Sequence, residues 1–281
     1  MLKALVQYNY LQNAVISAIL ASIACGIIGT IVIEKRLVMM SGGIAHTAFG
    51  GIGLGYWLGI EPIIGALFFS IAAALGIATI KRKTNVNPDI PIGLFWSAGM
   101  ALGILFIYLA PGYPPDMSSY LFGDILTVSR GNLILILALD ILVVATVVSL
   151  FQAFKAYIFD EEFSTVIGMH TLIIEYILFI LIALAVVVLI HVVGIILIMA
   201  LLTAPPAIAR FITHDLKRVM IYAVILSIIF CLSGLWISYT LNISSGAAIV
   251  LLTSATYGLV SVIKTADTKQ AHSTNKTTRS I

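Results

Sequence analysis

The sequence is poor in charge. Asp, Glu, Lys and Arg make up 10% of its 281 residues, whereas a soluble domain carries about 25%. Hydrophobic residues account for 61% of the chain, and the mean hydropathy is +1.13. The few charges stand in short patches between apolar runs, which recur at the spacing of membrane-spanning helices. The composition therefore excludes an ordinary soluble domain and predicts an all-α, polytopic integral membrane protein.

Cysteine is also scarce, and several common motifs are missing. The two cysteines, Cys25 and Cys231, lie in apolar runs, which excludes a disulfide framework and a cysteine-based metal site. No Gly-x-x-x-x-Gly-Lys-Ser/Thr or His-Glu-x-x-His run occurs, so we expect no enzyme activity in this chain and no ATP hydrolysis by a P-loop. No basic patch is interleaved with polar surface, which argues against a nucleic-acid partner.

Long apolar runs predict eight or nine transmembrane helices, one of them short or re-entrant. Gly194 and the pair Pro205 and Pro206 interrupt a stretch of 43 residues that begins at Thr171, so a short segment is expected to end near Leu202. We predict one transmembrane domain over 1–263 and a polar, disordered cytoplasmic tail over 264–281. The full-length spans are predicted at 14–33, 44–60, 62–80, 90–109, 133–151, 171–191, 219–241 and from the turn at 242–246 to about 263.

The cations indicate which way the chain crosses the membrane. Alternate loops hold 13 of the 15 Lys and Arg residues, and only Lys3 and Arg130 fall on the other side. Cytoplasmic loops carry the excess of positive charge, so we predict a cell-membrane protein with its N-terminus outside and its C-terminus in the cytoplasm. The loops assigned to the cytoplasm are 34–43, 81–89, 152–170, 203–218 and 264–281.

His46 is the strongest single candidate for a functional residue. It lies inside the second span, where an ionisable side chain is costly and marks a substrate path. The alternative is a histidine that bonds a neighbouring helix near the interface. On a helix, His46 shares one face with Trp57 and with two glycines that would leave open space beside the imidazole, Gly50 and Gly53. The opposite face carries small residues spaced for close helix packing, namely Gly51, Gly55 and Gly59.

Acidic residues in or beside the spans give further candidates. Asp89 begins the fourth span, where it is either a helix cap or a carboxylate ligand on the same side of the membrane as His46. A histidine with one or more carboxylates would suit Zn²⁺ or Mn²⁺. Asp140 lies deep in the fifth span without an evident partner, and Glu175 is expected at the interface.

A double proline marks the most distinctive segment on the predicted cytoplasmic side. Proline ends a helix and suits the first turn of the next one. A short helix is therefore expected to start at Pro206 and to carry Arg210 on the inner surface. Such a helix between two spans is suited to docking onto a separate motor subunit, and an ordinary interfacial loop is the alternative.

Taken in order, several motifs resemble those of the membrane permeases of the ABC importers for zinc, manganese and iron. The resemblance covers nearly the whole chain. The motifs are Ala45-His46, Asp89 with Ile92-Gly93, Ser97 to Gly103, Ser119-Tyr120-Leu121-Phe122-Gly123-Asp124-Ile125-Leu126, Val193-Gly194-Ile195-Ile196-Leu197, Pro206-Ala207-Ile208-Ala209-Arg210, Ser238-Tyr239 and Ser245-Gly246-Ala247.

The resemblance implies an assembly and a cargo. The permease would be a homodimer with ATPase subunits on its cytoplasmic side, and an external metal-binding protein would deliver the ion. Pro206, Ala207 and Arg210 would belong to the coupling helix that contacts the ATPase. No permanently bound cofactor is expected, since Zn²⁺ or Mn²⁺ would be the transported substrate.

The chain departs from the family at Gly42, where the family usually has an Asp that shares a helix face with the histidine. Either another carboxylate serves His46, for which Asp89 and Asp124 are candidates, or the chain carries another substrate. Three functions stay open: a permease for a divalent metal ion, an ABC permease for a metal chelate or cobalamin-like ligand, and a stand-alone secondary transporter or channel. Inverted repeats would favour the last of these, and the sequence shows no convincing ones.

Overall fold

The computed structural model describes residues 8–83, 87, 89–112, 123 and 125–278, and the side chains of all of these except 191 and 265–278. This part of the chain is built from helices and contains no strand, which confirms the all-α prediction. A short 3₁₀ helix, Ile125–Thr127, precedes α5. In chain order the α-helices are α1 (Asn9–Glu34), α2 (Val38–Leu58), α3 (Pro62–Lys83), α4 (Asp89–Leu109), α5 (Arg130–Ser149), α6 (Phe151–Phe159), α7 (Glu161–Val166), α8 (Thr171–Val193), α9 (Ile195–Ile212), α10 (Leu216–Leu241) and α11 (Ser245–Thr278).

Eight helices in the described part of the chain are long and apolar enough to cross a membrane, and α2 is not among them. It has 21 residues, six of which are glycine, and it carries His46. Most of its side chains are nevertheless buried, because α3 and α4 pack closely against it. A helix that its neighbours shield from lipid can carry polar groups and glycine. The eight candidate spans of the described residues confirm the predicted number of eight or nine.

One face of α2 packs on the start of α3. A side chain at Gly51 would run into the backbone of Gly65, and one at Gly55 would lie 2.7 Å from the Cα of Pro62. Gly59 behaves differently from the other two glycines of this predicted stripe. It follows the end of α2 with a φ of +66° and would meet no atom within 4 Å, so it terminates the helix instead of packing it.

The opposite face of α2 is not open, as the sequence had suggested, but packs on α4. A Cβ at Gly50 would lie 2.8 Å from the carbonyl oxygen of Gly99, and one at Gly53 would run into the backbone of Gly103. Small residues on both helices let the two backbones touch. The space expected beside these glycines is therefore filled by α4, which the pattern of α2 alone does not reveal.

Gly194 separates α8 from α9, as predicted, with a φ of +85° that favours glycine. The predicted short segment to Leu202 and the separate helix from Pro206 are wrong, because α9 runs as one helix through both prolines. Pro206 has no N–H for the carbonyl of Leu202. That carbonyl oxygen lies 2.5 Å from where a Cβ on Gly29 of α1 would be. The missing side chain of Gly29 therefore makes room for the proline-containing turn.

α11 extends past the predicted end of the last span near 263 and continues to Thr278, the last residue that the structure describes. It includes much of the segment that the sequence assigns to a disordered tail. The boundary of the transmembrane domain at 263 and the placement of the tail in the cytoplasm stay predictions.

The two ends of α1 mark the two ends of the bundle. Near its start, the Asn13 side-chain amide donates to the carbonyl of Val128, 3.2 Å away, in the segment before α5. Just past its end, the Lys35 ammonium lies 3.0 Å from the carboxylate of Glu161 in α7. The sequence predicts the first end outside and the second, called the Lys35 end below, in the cytoplasm.

Candidate metal-translocation site

His46 lies on α2 against the face of an aromatic ring from α4. The imidazole is half-buried and stacks on the ring of Trp96, with ring centres 4.1 Å apart and 12° between the planes. Its Nδ1 is buried and has no hydrogen-bond partner among the described residues. Stacking does not use the nitrogen lone pairs, which lie in the ring plane. The imidazole is therefore held in place and still has a nitrogen with no protein partner to meet a cation.

Gly42 lies one turn before His46 on the same helix face. A Cβ on Gly42 would be 3.1 Å from the Cε of Met199 in α9 and 3.2 Å from the Cζ3 of Trp96. Helices α2, α4 and α9 thus converge beside the imidazole. The space that a side chain at position 42 would enter holds a thioether and an indole, and sequence reasoning singled out neither residue.

Thr47 fixes α2 to α4 next to this site. Its hydroxyl lies 2.7 Å from the carbonyl oxygen of Gly43 and 3.0 Å from that of Phe95. A Cβ on Gly99 would lie 2.5 Å from the Cα of Thr47. The register of α2 against α4, and so the His46–Trp96 stack, is set by direct backbone contact.

The structure places one of the two predicted carboxylates, Asp89, away from His46. Asp89 is exposed at the first residue of α4, seven residues before Trp96 and so about 10 Å away along the helix axis. Its own backbone N–H donates to the Oδ1 of Asn87, 3.1 Å away, so Asn87 provides the cap. Asp124 lies outside the described residues. Within the described ranges, no three His, Cys, Asp or Glu side chains are close enough together to hold a metal ion.

Asp140 is buried, and neither of its carboxylate oxygens has a hydrogen-bond partner among the described residues. It lies in α5, which packs mainly on α1 and α8. Its carboxylate therefore belongs to a different part of the bundle from His46.

The residues predicted to dock the ATPase lie near the end of α9. Pro206 is buried and Ala207 is half-buried. Arg210 is partly exposed, and its guanidinium lies 3.1 Å from the carboxylate of Glu34 at the end of α1. The surface at this end of α9 comes from the residues that follow, including Ile212, which is 61% exposed, and His214. Arg210 is thus an anchor between two helices at the Lys35 end.

A network of charges joins four elements at the Lys35 end. Glu175 of α8 is fully buried, and its carboxylate pairs with both Lys81, 2.6 Å away, and Arg82 at the end of α3. Arg82 also lies 3.5 Å from Glu161 of α7, which in turn pairs with Lys35. Sequence reasoning placed Glu175 at the interface without a role. The sequence did contain a signal for this ion pair. A carboxylate inside one predicted span and two cations at the end of another lie on the same predicted side of the membrane.

Glu161 shows how strongly the cations act in this network. Burial alone would raise the pKa of its carboxyl group, but the hydrogen bond from Lys35 and the charges of Lys35, Lys81 and Arg82 outweigh burial and lower that pKa. A carboxyl group with a lowered folded-state pKa stabilises the fold above its unfolded-state pKa. That contribution is lost as the pH falls through the folded-state pKa.

Comparisons with known proteins agree with this architecture. The model of the ABC 3 transport family matches residues 7–264. An uncharacterized membrane protein of Synechocystis is 42% identical over 260 residues, 92% of either chain. The manganese transport system membrane protein MntC of Listeria monocytogenes is 34% identical over 251 residues, 89% of either chain. The solved structure of PsaBC from Streptococcus pneumoniae in complex with Fab has a TM-score of 0.83 at 30% identity, and the match covers 92% of this chain and 93% of that one.

The family model spans most of the chain, and relatives above 30% identity match it over nearly their whole length. A stand-alone transporter or channel is therefore not the function of this chain, because the family is one of ABC transporters. The multi-pass helical bundle belongs to the ABC 3 transport family and is the membrane permease of a metal importer.

Proposed function

We propose that this permease carries a divalent transition-metal ion, Zn²⁺ or Mn²⁺, along α2, and that His46 is the residue that meets the ion. The observation that carries the proposal is the buried Nδ1 of His46, which has no partner in the described part of the chain. An ionisable side chain inside a membrane bundle is normally paired or lies on a substrate path. The surrounding helices hold this imidazole firmly while leaving a ring nitrogen free.

Replacing His46 by alanine is expected to reduce metal uptake at least about tenfold, because the ion loses a nitrogen donor along its path. The measurement is accumulation of radioactive Zn²⁺ and Mn²⁺ in cells that express the permease with its ATPase and binding protein. His170→Ala is the matched control, since His170 is exposed at the start of α8. Normal uptake by a well-expressed His46→Ala permease would remove His46 from the path.

We further propose how the importer is assembled. The Lys35 end, which carries most of the cations, faces the cytoplasm, and an ATPase docks there on the end of α9 and the residues after it. The exposed Ile212 offers an apolar contact at that place. An external binding protein delivers the ion to the opposite end, and two permease chains form the dimer. The N-terminus then lies outside and the C-terminus inside.

A charge swap separates docking at Arg210 from its internal ion pair. Arg210→Glu breaks the pair with Glu34, and Glu34→Arg with Arg210→Glu restores it in reverse. If the ATPase contacts Arg210, we expect both variants to recover several-fold less ATPase when the permease is purified from membranes. Recovery of normal ATPase binding by the double variant would show that Arg210 serves only to join α9 to α1.

The metal-chelate alternative has one observation in its favour, the glycine at position 42 in place of a carboxylate. The structure weakens that argument, because Trp96 and Met199 fill the space next to Gly42. The uptake experiment also tests this alternative. A well-expressed importer that accumulates no free ion but takes up a metal complex would support it.

A further inference from the structure

We infer that Trp96 determines which ion this permease accepts, by occupying the place beside His46 where a ligand side chain from position 42 would lie. The cargo that this arrangement favours is Zn²⁺ over Mn²⁺. The inference rests on the proposed role of His46 as the residue that meets the ion.

The geometry ties Trp96 to both positions at once. Its ring is parallel to the imidazole of His46 at 4.1 Å, and its Cζ3 would lie 3.2 Å from a Cβ on Gly42. Met199 closes the same space from α9, at 3.1 Å. Even an alanine at position 42 would therefore require these two side chains to give way. A carboxylate there would need the indole to leave.

The donors left beside the path are neutral. The imidazole offers a nitrogen, the Met199 side chain that reaches position 42 carries no charge, and the indole has a donor N–H but no acceptor. The nearest carboxylate on α4 is the exposed Asp89, seven residues away from Trp96. Imidazole suits Zn²⁺, whereas Mn²⁺ is held mainly by oxygen ligands and binds more weakly to nitrogen and sulfur. A site to which the described part of α4 brings no carboxylate therefore favours Zn²⁺ over Mn²⁺.

Stacking also explains why an aromatic ring is suited to this place. The indole covers one face of the imidazole and leaves the ring edge, with its nitrogens, uncovered. It also fills space beside His46 that water would otherwise occupy, and water is an oxygen ligand of the kind that suits Mn²⁺. Trp96 is thus a specificity-determining residue that acts by filling space and by orienting His46.

The test is the ratio of Zn²⁺ to Mn²⁺ uptake by the complete importer, measured with both ions in competition and the same binding protein throughout. Wild type is expected to favour Zn²⁺. Gly42→Asp combined with Trp96→Ala supplies a carboxylate and the room for it, so the ratio should fall about tenfold or more. Trp96→Phe keeps an aromatic stack and should keep the ratio near that of wild type.

Trp57→Ala is the matched control. Trp57 stacks on Phe106 of α4 at 5.4 Å, so this change removes the same kind of ring contact between the same two helices, away from His46. Its ratio should stay at the wild-type value. If the double variant does not reach the membrane, Trp96→Ala alone decides, since it admits water beside His46 and should lower the ratio.

An unchanged ratio in a double variant whose uptake still depends on His46 would overturn the role of Trp96 and leave the proposed function standing. So would a wild-type importer that favours Mn²⁺. Uptake that does not depend on His46 at all would instead overturn the proposed function.

Discussion

Replacing Glu175 by glutamine is expected to lower the stability of the folded permease by roughly 2–4 kcal/mol. The carboxylate is fully buried between Lys81 and Arg82, both of which reach it from the end of α3. Glutamine has nearly the same shape but no charge, so Lys81 loses its ion-pair partner in a partly buried place, and Arg82 keeps only Glu161, 3.5 Å away. Their own partial exposure to water keeps the loss below that of a fully enclosed pair.

The measurement is thermal unfolding of the purified permease in detergent. It records the fraction of the protein that remains monodisperse after heating to each temperature. Glu162→Gln is the matched control, because Glu162 is an exposed carboxylate on α7, and its effect should stay within about 0.5 kcal/mol. Adding Lys81→Met to Glu175→Gln should recover part of the loss, since it removes one uncompensated cation. Equal stability of Glu175→Gln and Glu162→Gln would show that the network does not hold the fold together.

This network shows what the sequence could and could not predict about the bundle. Each span followed from its own apolar run, because burying or embedding such a run depends only on local composition. The partner of Glu175 lies more than ninety residues earlier in the chain, and no local pattern specifies that distance. The charges could still have been matched by predicted side, since both helix ends were assigned to the cytoplasm.

The double proline in α9 is a case in which a local rule predicted a break that the structure does not have. Proline removes a donor, and the rule therefore predicted that one segment ends near Leu202 and that a new helix starts at Pro206. In the structure, Gly29 of α1 lets the backbone of Leu202 approach closely, so the altered turn is accommodated by a neighbouring helix. The hydrogen bond that Pro206 removes within α9 is therefore offset by packing against α1, a helix that is distant in the sequence.

The candidate metal site shows the same contrast between what local sequence reveals and what only helix packing reveals. His46 could be found from the sequence, because an ionisable group in an apolar span stands out. Trp96 and Met199 could not, since an aromatic residue and a methionine in a transmembrane helix look like ordinary apolar residues. Only the crossing of α2, α4 and α9 brings them to one place, and the carboxylate expected from Asp89 is displaced from that place by the length of α4.

The second large effect is expected at Gly51, where alanine should destabilise the permease by about 1–3 kcal/mol. A Cβ at this position would run into the backbone of Gly65 and lie 2.7 Å from the Cα of Ala66, so α2 and α3 would have to separate. Backbone cannot move aside as a flexible side chain can. The separation would also shift the helix that carries His46, so metal uptake should fall with stability.

Gly93 provides the matched control for Gly51. It lies inside α4, is exposed, and would meet no atom within 4 Å if it carried a Cβ. Gly93→Ala should therefore be neutral or stabilise by up to about 1 kcal/mol, which is the ordinary preference of a helix for alanine. The two variants are the same chemical change in two helices, so the difference between their unfolding temperatures reports the contact between α2 and α3.

Gly65→Ala tests that contact from the other helix. Its Cβ would run into the backbone of Gly51, so it should destabilise the permease to a similar extent. Once either alanine has separated the helices, the second should cost less, and the double variant should be less damaging than the sum of the two single changes. Simple additivity, or a Gly51→Ala permease as stable as Gly93→Ala, would mean that the glycine contact does not set the distance between α2 and α3. In that case the position of His46 would have to be fixed by its packing on α4 alone.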